Sequence, residues 1–464
     1  MKLRIIMNKN EHYQVEIIDL TYEGFGVAKV DGFPVFIENT IPGEVVDITI
    51  LKVTKRFAFG KVLSWTKESK ARVEITDAVG TRTGTMPLQH LSYSEQLKFK
   101  KDLVIKTLSK EVSLENVIIH DTLGMENPWN YRNKAQIPVR EINGQLETGF
   151  YKKASHDLIP IENYHIQDSK IDEAIIIVRD ILRKHNIKAY DEEHHRGNIR
   201  HIIVRRSEAT NEIMIILVTK ESKKLSINIV EEITKEIPEC ISIVQNINEK
   251  RTNVIMGQQQ ILLYGEDRYH DILLGKTFSI SSRSFFQVNT KQTEVLYSKA
   301  IELADIKPNE TVVDAYCGIG SISLNLADHA KHVYAMEIVE DAIVMAKDNA
   351  ETNNITNVTF EAGKAEEIMP RWVKEGLSID TLVVDPPRKG LDINFIDASV
   401  KSNPERIVYV SCNPATLARD LKLYQERGYE LKEVCPVDMF PQTVHVESVV
   451  LLSKNNFNAV SFNY

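Results

Sequence analysis

The chain has only four cysteines, at positions 240, 317, 412 and 435, and no two of them form a CxxC pair. That spacing excludes a disulfide framework and a zinc knuckle, and it fits a reducing compartment, so a cytoplasmic location is expected. No apolar run reaches the length of about 18 residues that a membrane-spanning helix needs, so no membrane partner is expected. The opening Met1–Met7 stretch is too short for a signal peptide, because Asn8-Lys9-Asn10-Glu11 follows at once. An excess of positive charge is missing too. The net charge is −8, which is not that of a uniformly basic nucleic-acid binder. No internal repeat or low-complexity tract is present.

At 464 residues the chain exceeds one ordinary core, and two or three domains are expected. Cations gather locally in spite of the net charge. Lys52, Lys55, Arg56, Lys61, Lys67, Lys70 and Arg72 form one group. A second runs from Lys98 through Lys100, Lys101 and Lys106 to Lys110, and a third comprises Arg196, Arg200, His201, Arg205 and Arg206. Such patches, more than net charge, set a phosphate footprint, although each could equally be a solvated face.

Residues 8–66 read as five short strands broken at Gly24-Phe25-Gly26, Asp31-Gly32 and Pro42-Gly43, a pattern that suggests a small OB-type barrel. In Lys55-Arg56-Phe57-Ala58-Phe59-Gly60-Lys61 cations and aromatics interleave. Two readings stay open: the rings stack bases, or they point into the barrel and leave the cations outside. Residues 67–270 read as a mixed α+β region, with a basic helix over 94–110 that could pack on the catalytic domain. Within it Arg132, Lys152 and Lys153 lie beside aromatics, as RNA contact would require.

From 271 to 464 the rhythm becomes regular: strand and helix alternate, which predicts a parallel, doubly wound, Rossmann-like sheet. The first strand runs into Asp314-Ala315-Tyr316-Cys317-Gly318-Ile319-Gly320, and Ser323 stands where a dinucleotide fingerprint has its third glycine. The second strand ends at Glu337, placed to take ribose hydroxyls. A ribose-bearing cofactor without a pyrophosphate fits this turn, and S-adenosylmethionine is expected over NAD.

Asp385-Pro386-Pro387-Arg388 closes the fourth strand with a stiff loop that fixes its acid. Cys412 ends the fifth, just before a helix that starts near Pro414, where the helix dipole is expected to lower the thiol pKa. Glu447 stands on a late strand. A nucleophile, a fixed carboxylate and a candidate base answer a specific chemical need. Carbon 5 of uracil attacks an electrophilic methyl only after a thiolate has added to carbon 6, and a base must then remove the carbon 5 proton.

These motifs, taken in order with Ser284-Phe285-Phe286-Gln287-Val288-Asn289, Ser411-Cys412-Asn413-Pro414 and His445-Val446-Glu447, resemble the RNA uracil-5 methyltransferases of the RumA/TrmA type over essentially the whole chain. The resemblance implies that Cys412 is the nucleophile and Glu447 the general base. It implies that Gln287, Tyr316, Glu337 and Asp385, with Gly318 and Gly320, line the S-adenosylmethionine site, and that Phe286, Gln287 and Asp385 face the target base. It implies a TRAM domain at the N-terminus, an RNA partner reached through Lys55, Arg56, Lys61, Arg132, Lys152 and Lys153, and a monomeric protein. Many ribosomal-RNA members hold an iron–sulfur cluster on four cysteines. The matching positions here are Asp77, Thr83, Met86 and His165, so no cluster and no metal are expected. TRAM domain and length point to 23S rRNA over tRNA, with the target base flipped into the cleft. A non-catalytic RNA-binding assembly factor is the competing reading from another class. A DNA cytosine or amine methylase is a third, disfavoured by Arg388 after the two prolines.

Overall fold

Alternation of branched apolar residues with polar ones drives the N-terminal sheet. The computed structural model describes residues 7–455; Met1–Ile6, and with them most of the Met1–Met7 stretch, lie outside the described residues, as does the end of the expected 271–464 segment. Six strands, one more than the sequence suggested, form the sheet in the order His12–Glu16, Val45–Val53, Ala58–Lys67, Phe33–Ile37, Gly26–Val30, Asp19–Leu20. Val46, Ile48 and Ile50 point inward at period two and meet Val35, Ile37 and Ala58 in a small core.

The inward residues of the last strand are Ala58 and Gly60, which settles the two readings of Phe57 and Phe59. Both rings stand half-exposed on the outer face, on the same parity as Lys61. Gly60 is tightly packed on its inward side, where a Cβ would come within 3.1 Å of Ile48 and 3.3 Å of both Ile37 and Val35.

A seven-stranded sheet follows, ordered Leu158–Pro160, Gln145–Tyr151, Lys134–Ile142, Ile199–Arg206, Ile213–Thr219, Cys240–Ile247, Gln259–Gly265. The apolar faces of helices Ser169–Lys184 and Ile227–Glu236 pack on it. The third basic patch is corrected here. Arg200 and Arg205 are buried, donating to the carbonyls of Asn248 and Lys250 and of Ser282 and Ser284, so they tie loops together inside the protein and are not open to phosphate.

The C-terminal sheet has eight strands, ordered Val358–Ala362, His332–Glu337, Thr311–Ala315, Thr381–Val384, Arg406–Ser411, Glu447–Lys454, Tyr429–Val437, Ile118–Ile119. The first five are parallel and covered on both faces, which is why Val312-Val313 and Leu382-Val383-Val384 read as unbroken apolar runs. Ser321–His329 was expected to be helical throughout, but only Ser323–Leu326 is an α-helix. The Asn357 amide draws off the carbonyls of Ala327 and Ala330 and ends it early.

The helix Tyr93–Leu108 places Val104 and Leu108 in the same core as Leu417 and Leu421 of the helix Pro414–Gln425. Its Lys100 is fully buried, so it leaves the second basic patch: it pairs with the Asp438 carboxylate and donates to the Phe440 carbonyl at 3.0 Å. Gln96 and Tyr131 likewise hold Gln442 and the Pro441 carbonyl. These contacts fix the segment that leads into Glu447. Lys100→Met would strand the Asp438 carboxylate in the interior, and unfolding in urea is expected to show a loss of about 3–5 kcal/mol.

Candidate active site

The sheet register assembles the site. Ala315 pairs with both Met336 and Val384, so Tyr316 and Asp385, one step beyond their strands, lie level with Glu337, the last residue of its own, at the carboxyl ends of three adjacent strands. In the antiparallel ladder Ser411 pairs with Ser448, which sets Cys412 opposite Glu447 on the same rim. Five of the expected residues thus meet at one edge although they span 131 positions from Tyr316 to Glu447.

Backbone strain and clamps hold this rim. Tyr316 adopts φ +71°, and Gly318 and Gly320 follow at +56° and +85°, turning the chain sharply after the strand. The Gly318 N–H donates to the Glu337 carboxylate at 3.2 Å, and the Ser323 hydroxyl donates to buried Asp314. Beyond Asp385, the Arg388 carbonyl accepts from the Asn413 amide at 3.1 Å and from Thr416, while Arg419 donates to the Lys389 carbonyl at 3.0 Å. Gly390 allows this closeness, since a Cβ there would lie 2.5 Å from Asp420 and 2.6 Å from Arg419. Asn413 caps the helix Pro414–Gln425, with proline in its first turn. The Pro-Pro loop and the cysteine loop therefore form one clamped unit.

The electrostatics correct one expectation. Cys412 is half-buried, and its thiol is pushed up to about 11, first by burial and then by the charges of Glu447 and Asp385; Arg388 works the other way. Burial, with the two carboxylates, outweighs the helix dipole, whose effect is typically well under 2 kcal/mol. Burial likewise raises Glu447 to about 8, Asp385 to about 7 and Asp314 to about 8. Cys240, Cys317 and Cys435 are buried, leaving Cys412 as the accessible thiol among them.

The Ser284–Asn289 segment reaches the site from the preceding strand. Asn133, just before the strand Lys134–Ile142, donates to the Gln287 carbonyl at 2.9 Å, and the Tyr297 hydroxyl, which feels the charge of Asp385, lies 3.3 Å from that of Ser321. Asn289 caps the helix Thr290–Ala304 and donates to the Met439 carbonyl at 3.0 Å. Phe286 is a correction: it is 5% exposed and packs on Phe278 in the core, so its ring has no free face for a base. Its neighbour Phe285 is 74% exposed, a ring the sequence reading passed over although alternation along the segment points to it. Asp314 was also missed. Its signal was an acid inside an otherwise apolar strand.

Lys55, Arg56, Lys61, Lys152 and Lys153 are exposed, whereas Arg132 is half-buried. At the positions where relatives of the ribosomal branch would carry cluster cysteines, Asp77 caps the helix Ala78–Thr83 and accepts from both the backbone and the ring of His165. The Thr83 hydroxyl donates to the Val79 carbonyl, and Met86 packs so closely on Gly80 that a Cβ there would lie 2.3 Å from its terminal methyl. Ordinary hydrogen bonds and packing thus hold this loop.

A family model described as tRNA (Uracil-5-)-methyltransferase matches residues 92–455, and a TRAM-domain model matches residues 8–63. The chain belongs to the tRNA (uracil-5-)-methyltransferase family. A relative from Enterococcus faecalis, described as an uncharacterized RNA methyltransferase, is 54% identical over 97% of this chain and 98% of its own length. One from Lactiplantibacillus plantarum with the same description is 51% identical over 98% of this chain and 100% of its own. The solved structure of Pyrococcus abyssi tRNA (uracil-54, C5)-methyltransferase in complex with S-adenosyl-L-homocysteine matches with a TM-score of 0.76 and 26% identity, covering 95% of this chain and 100% of that one. This uracil-5 methyltransferase fold is S-adenosylmethionine-dependent, and the residues at the rim suit that molecule. A Cβ at Gly318 would project into open space, the buried Asp314 Oδ1 has no partner, and a rim rich in carboxyls suits a sulfonium cation. Among the described residues no group of three or more His, Cys, Asp or Glu could hold a metal ion. No helix among them is long and apolar enough to cross a membrane.

Proposed function

We propose that this uracil-5 methyltransferase methylates carbon 5 of uridine in 23S rRNA, in the cytoplasm and as a monomer, through a covalent bond between Cys412 and carbon 6. The observation that carries this reading is the register that sets Cys412 opposite Glu447 beside Asp385. S-adenosylmethionine, when bound, supplies an electrophilic methyl on a positively charged sulfur. Glu337 and the Gly318 turn would hold its nucleoside part, with Tyr316 and Gln287 as further contacts. Asp385 and the exposed Phe285 ring orient the flipped uracil.

Cys412 Sγ gives its proton to a neighbouring carboxylate as it bonds to carbon 6; Asp385, held at about 7, is the more ionised of the two near neutrality. The ring electrons move to oxygen 4, which makes carbon 5 of the enolate nucleophilic toward the methyl that bound S-adenosylmethionine would supply, the broken bond's electron pair staying on the then-neutral sulfur. Glu447 then removes the carbon 5 proton, the carbon 5–carbon 6 double bond re-forms, and the Cys412 thiolate leaves.

The N-terminal barrel and the length of the chain support ribosomal RNA as substrate. The Pyrococcus abyssi structure, that of a tRNA enzyme, favours tRNA as the second reading. Incubation with labelled S-adenosylmethionine and either 23S rRNA fragments or tRNA decides between them. Labelled 5-methyluridine in the rRNA is expected; label confined to tRNA, or label on another base, would overturn the assignment.

A further inference from the structure

The clamp between the Pro-Pro loop and the cysteine loop leaves one side chain unused. Arg388 takes part through its carbonyl alone, which accepts from the Asn413 amide at 3.1 Å and from the Thr416 hydroxyl at 3.3 Å. Asn413 is the residue after Cys412, so the backbone at 388 is fixed against the nucleophile's own loop. The Arg388 side chain is exposed, and its guanidinium makes no hydrogen bond or ion pair with the described residues. Two other cations of this region are engaged. Arg419 donates to the Asp420 carboxylate at 2.8 Å and to the Lys389 carbonyl at 3.0 Å, and Lys100 is paired with Asp438.

Arg388 is nevertheless felt across the rim. Its charge opposes the upward push that burial and the carboxylates exert on the Cys412 thiol and on Glu447. His445, held below the usual histidine range first by burial, feels Arg388 next, ahead of Lys100. The charged and titratable groups facing Cys412 Sγ are therefore Glu447, Asp385 and Arg388, and of these Arg388 alone is a cation.

The reaction puts negative charge on Sγ twice. In the attack the sulfur–hydrogen bond breaks, Asp385 takes the proton, and a sulfur electron pair goes to carbon 6. In the elimination Glu447 takes the carbon 5 proton and the pair from that bond re-forms the double bond. The carbon 6–sulfur bond then returns its own pair to Sγ. Methyl transfer has by that stage neutralised the sulfonium, so its charge no longer helps. We propose that Arg388 is the electrostatic partner of the nucleophile: its guanidinium stabilises the negative charge on Sγ as the bond to carbon 6 forms and again as it breaks. The proposal deepens the uracil-methylation reading and rests on it. An exposed guanidinium is screened by water and salt in the free protein, and RNA seated over the rim strengthens its pull by excluding both.

The test begins without RNA, on the full-length protein. Iodoacetamide alkylation at pH 8 and low salt, followed by peptide mapping, reports the thiolate at Cys412. Arg388→Gln is expected to react about threefold more slowly, the net of a tenfold loss of thiolate and a threefold gain in its nucleophilicity. Arg388→Lys keeps the charge and should stay close to wild type, and added salt should narrow the gap between wild type and Arg388→Gln. Lys389→Gln removes an equal charge one residue away and should change nothing. All three variants should melt like the wild type, because the clamp runs through carbonyls. With saturating RNA that carries 5-fluorouridine, Arg388→Gln should form the covalent complex about tenfold more slowly or worse. Alkylation unchanged in Arg388→Gln, or slowed equally in Lys389→Gln, would overturn the proposal. So would a raised KM for RNA with an unchanged rate of complex formation at saturation, which would make Arg388 a phosphate contact. Failure of the wild type to form any complex would instead count against the uracil-methylation reading, and alkylation would still test Arg388.

Discussion

Cys412→Ala is expected to lower methyl transfer to uracil by on the order of 10⁴-fold or more, while leaving RNA and S-adenosylmethionine binding nearly intact. Without Sγ there is no bond to carbon 6 and no enolate, so carbon 5 stays too poor a nucleophile to take the methyl. The side chain is half-buried at the end of a strand and supports no other contact of note, so the loss belongs to chemistry and not to folding. Single-turnover rates with a labelled methyl donor, together with binding by fluorescence anisotropy, check both halves. Cys317→Ala should leave the chemical step standing, since that thiol is buried in the turn.

Glu447→Gln is expected to act later and differently. The amide cannot take the carbon 5 proton, so turnover should fall by roughly 10²–10⁴-fold. Attack and methyl transfer precede that step, and the protein should therefore accumulate bound to RNA as a complex that survives denaturing electrophoresis. A variant that is merely inactive, with no trapped RNA, would mean that Glu447 is needed before the bond to carbon 6 forms. The pH dependence follows from the same groups. Burial holds Glu447 at about 8 and Asp385 at about 7, and both must lose a proton to act as bases. The value of kcat/KM should therefore rise with pH between about 6 and 9. A cationic sulfonium nearby stabilises the carboxylates, so the rise in kcat should lie at lower pH than that in kcat/KM. A flat or falling profile across that range would exclude the carboxylates from these roles.

Much of the site was legible because strand ends are easy to locate. Unbroken apolar runs such as Val312-Val313 and Leu382-Val383-Val384 mark buried parallel strands, and the candidate residues Tyr316, Glu337, Asp385 and Cys412 lie where the strands stop. What could not be read were quantities set by neighbours from distant sequence. The Cys412 thiol moved up, not down, because neighbours from distant sequence bury it and, among them, Glu447 and Asp385 add their charge; no local pattern reports that. Phe285 is exposed and Phe286 buried because packing against Phe278 takes only one of them. Arg200, Arg205 and Lys100 look like surface cations in a linear reading, yet carbonyls and Asp438 hold them inside. Phe57 and Phe59 were ambiguous for a plainer reason: alternation gives two faces and does not say which one is the core.

The central claim is that Cys412 adds to carbon 6 of the uracil that receives the methyl at carbon 5. RNA with 5-fluorouridine at the target tests it directly, because fluorine cannot be removed by a base and the reaction should stop at the covalent stage. Digestion and mass spectrometry of the wild-type complex should give a single modified peptide, the one containing Cys412, bearing a nucleotide heavier by one methyl group. No covalent complex, or a nucleotide attached to any other residue, would contradict the account.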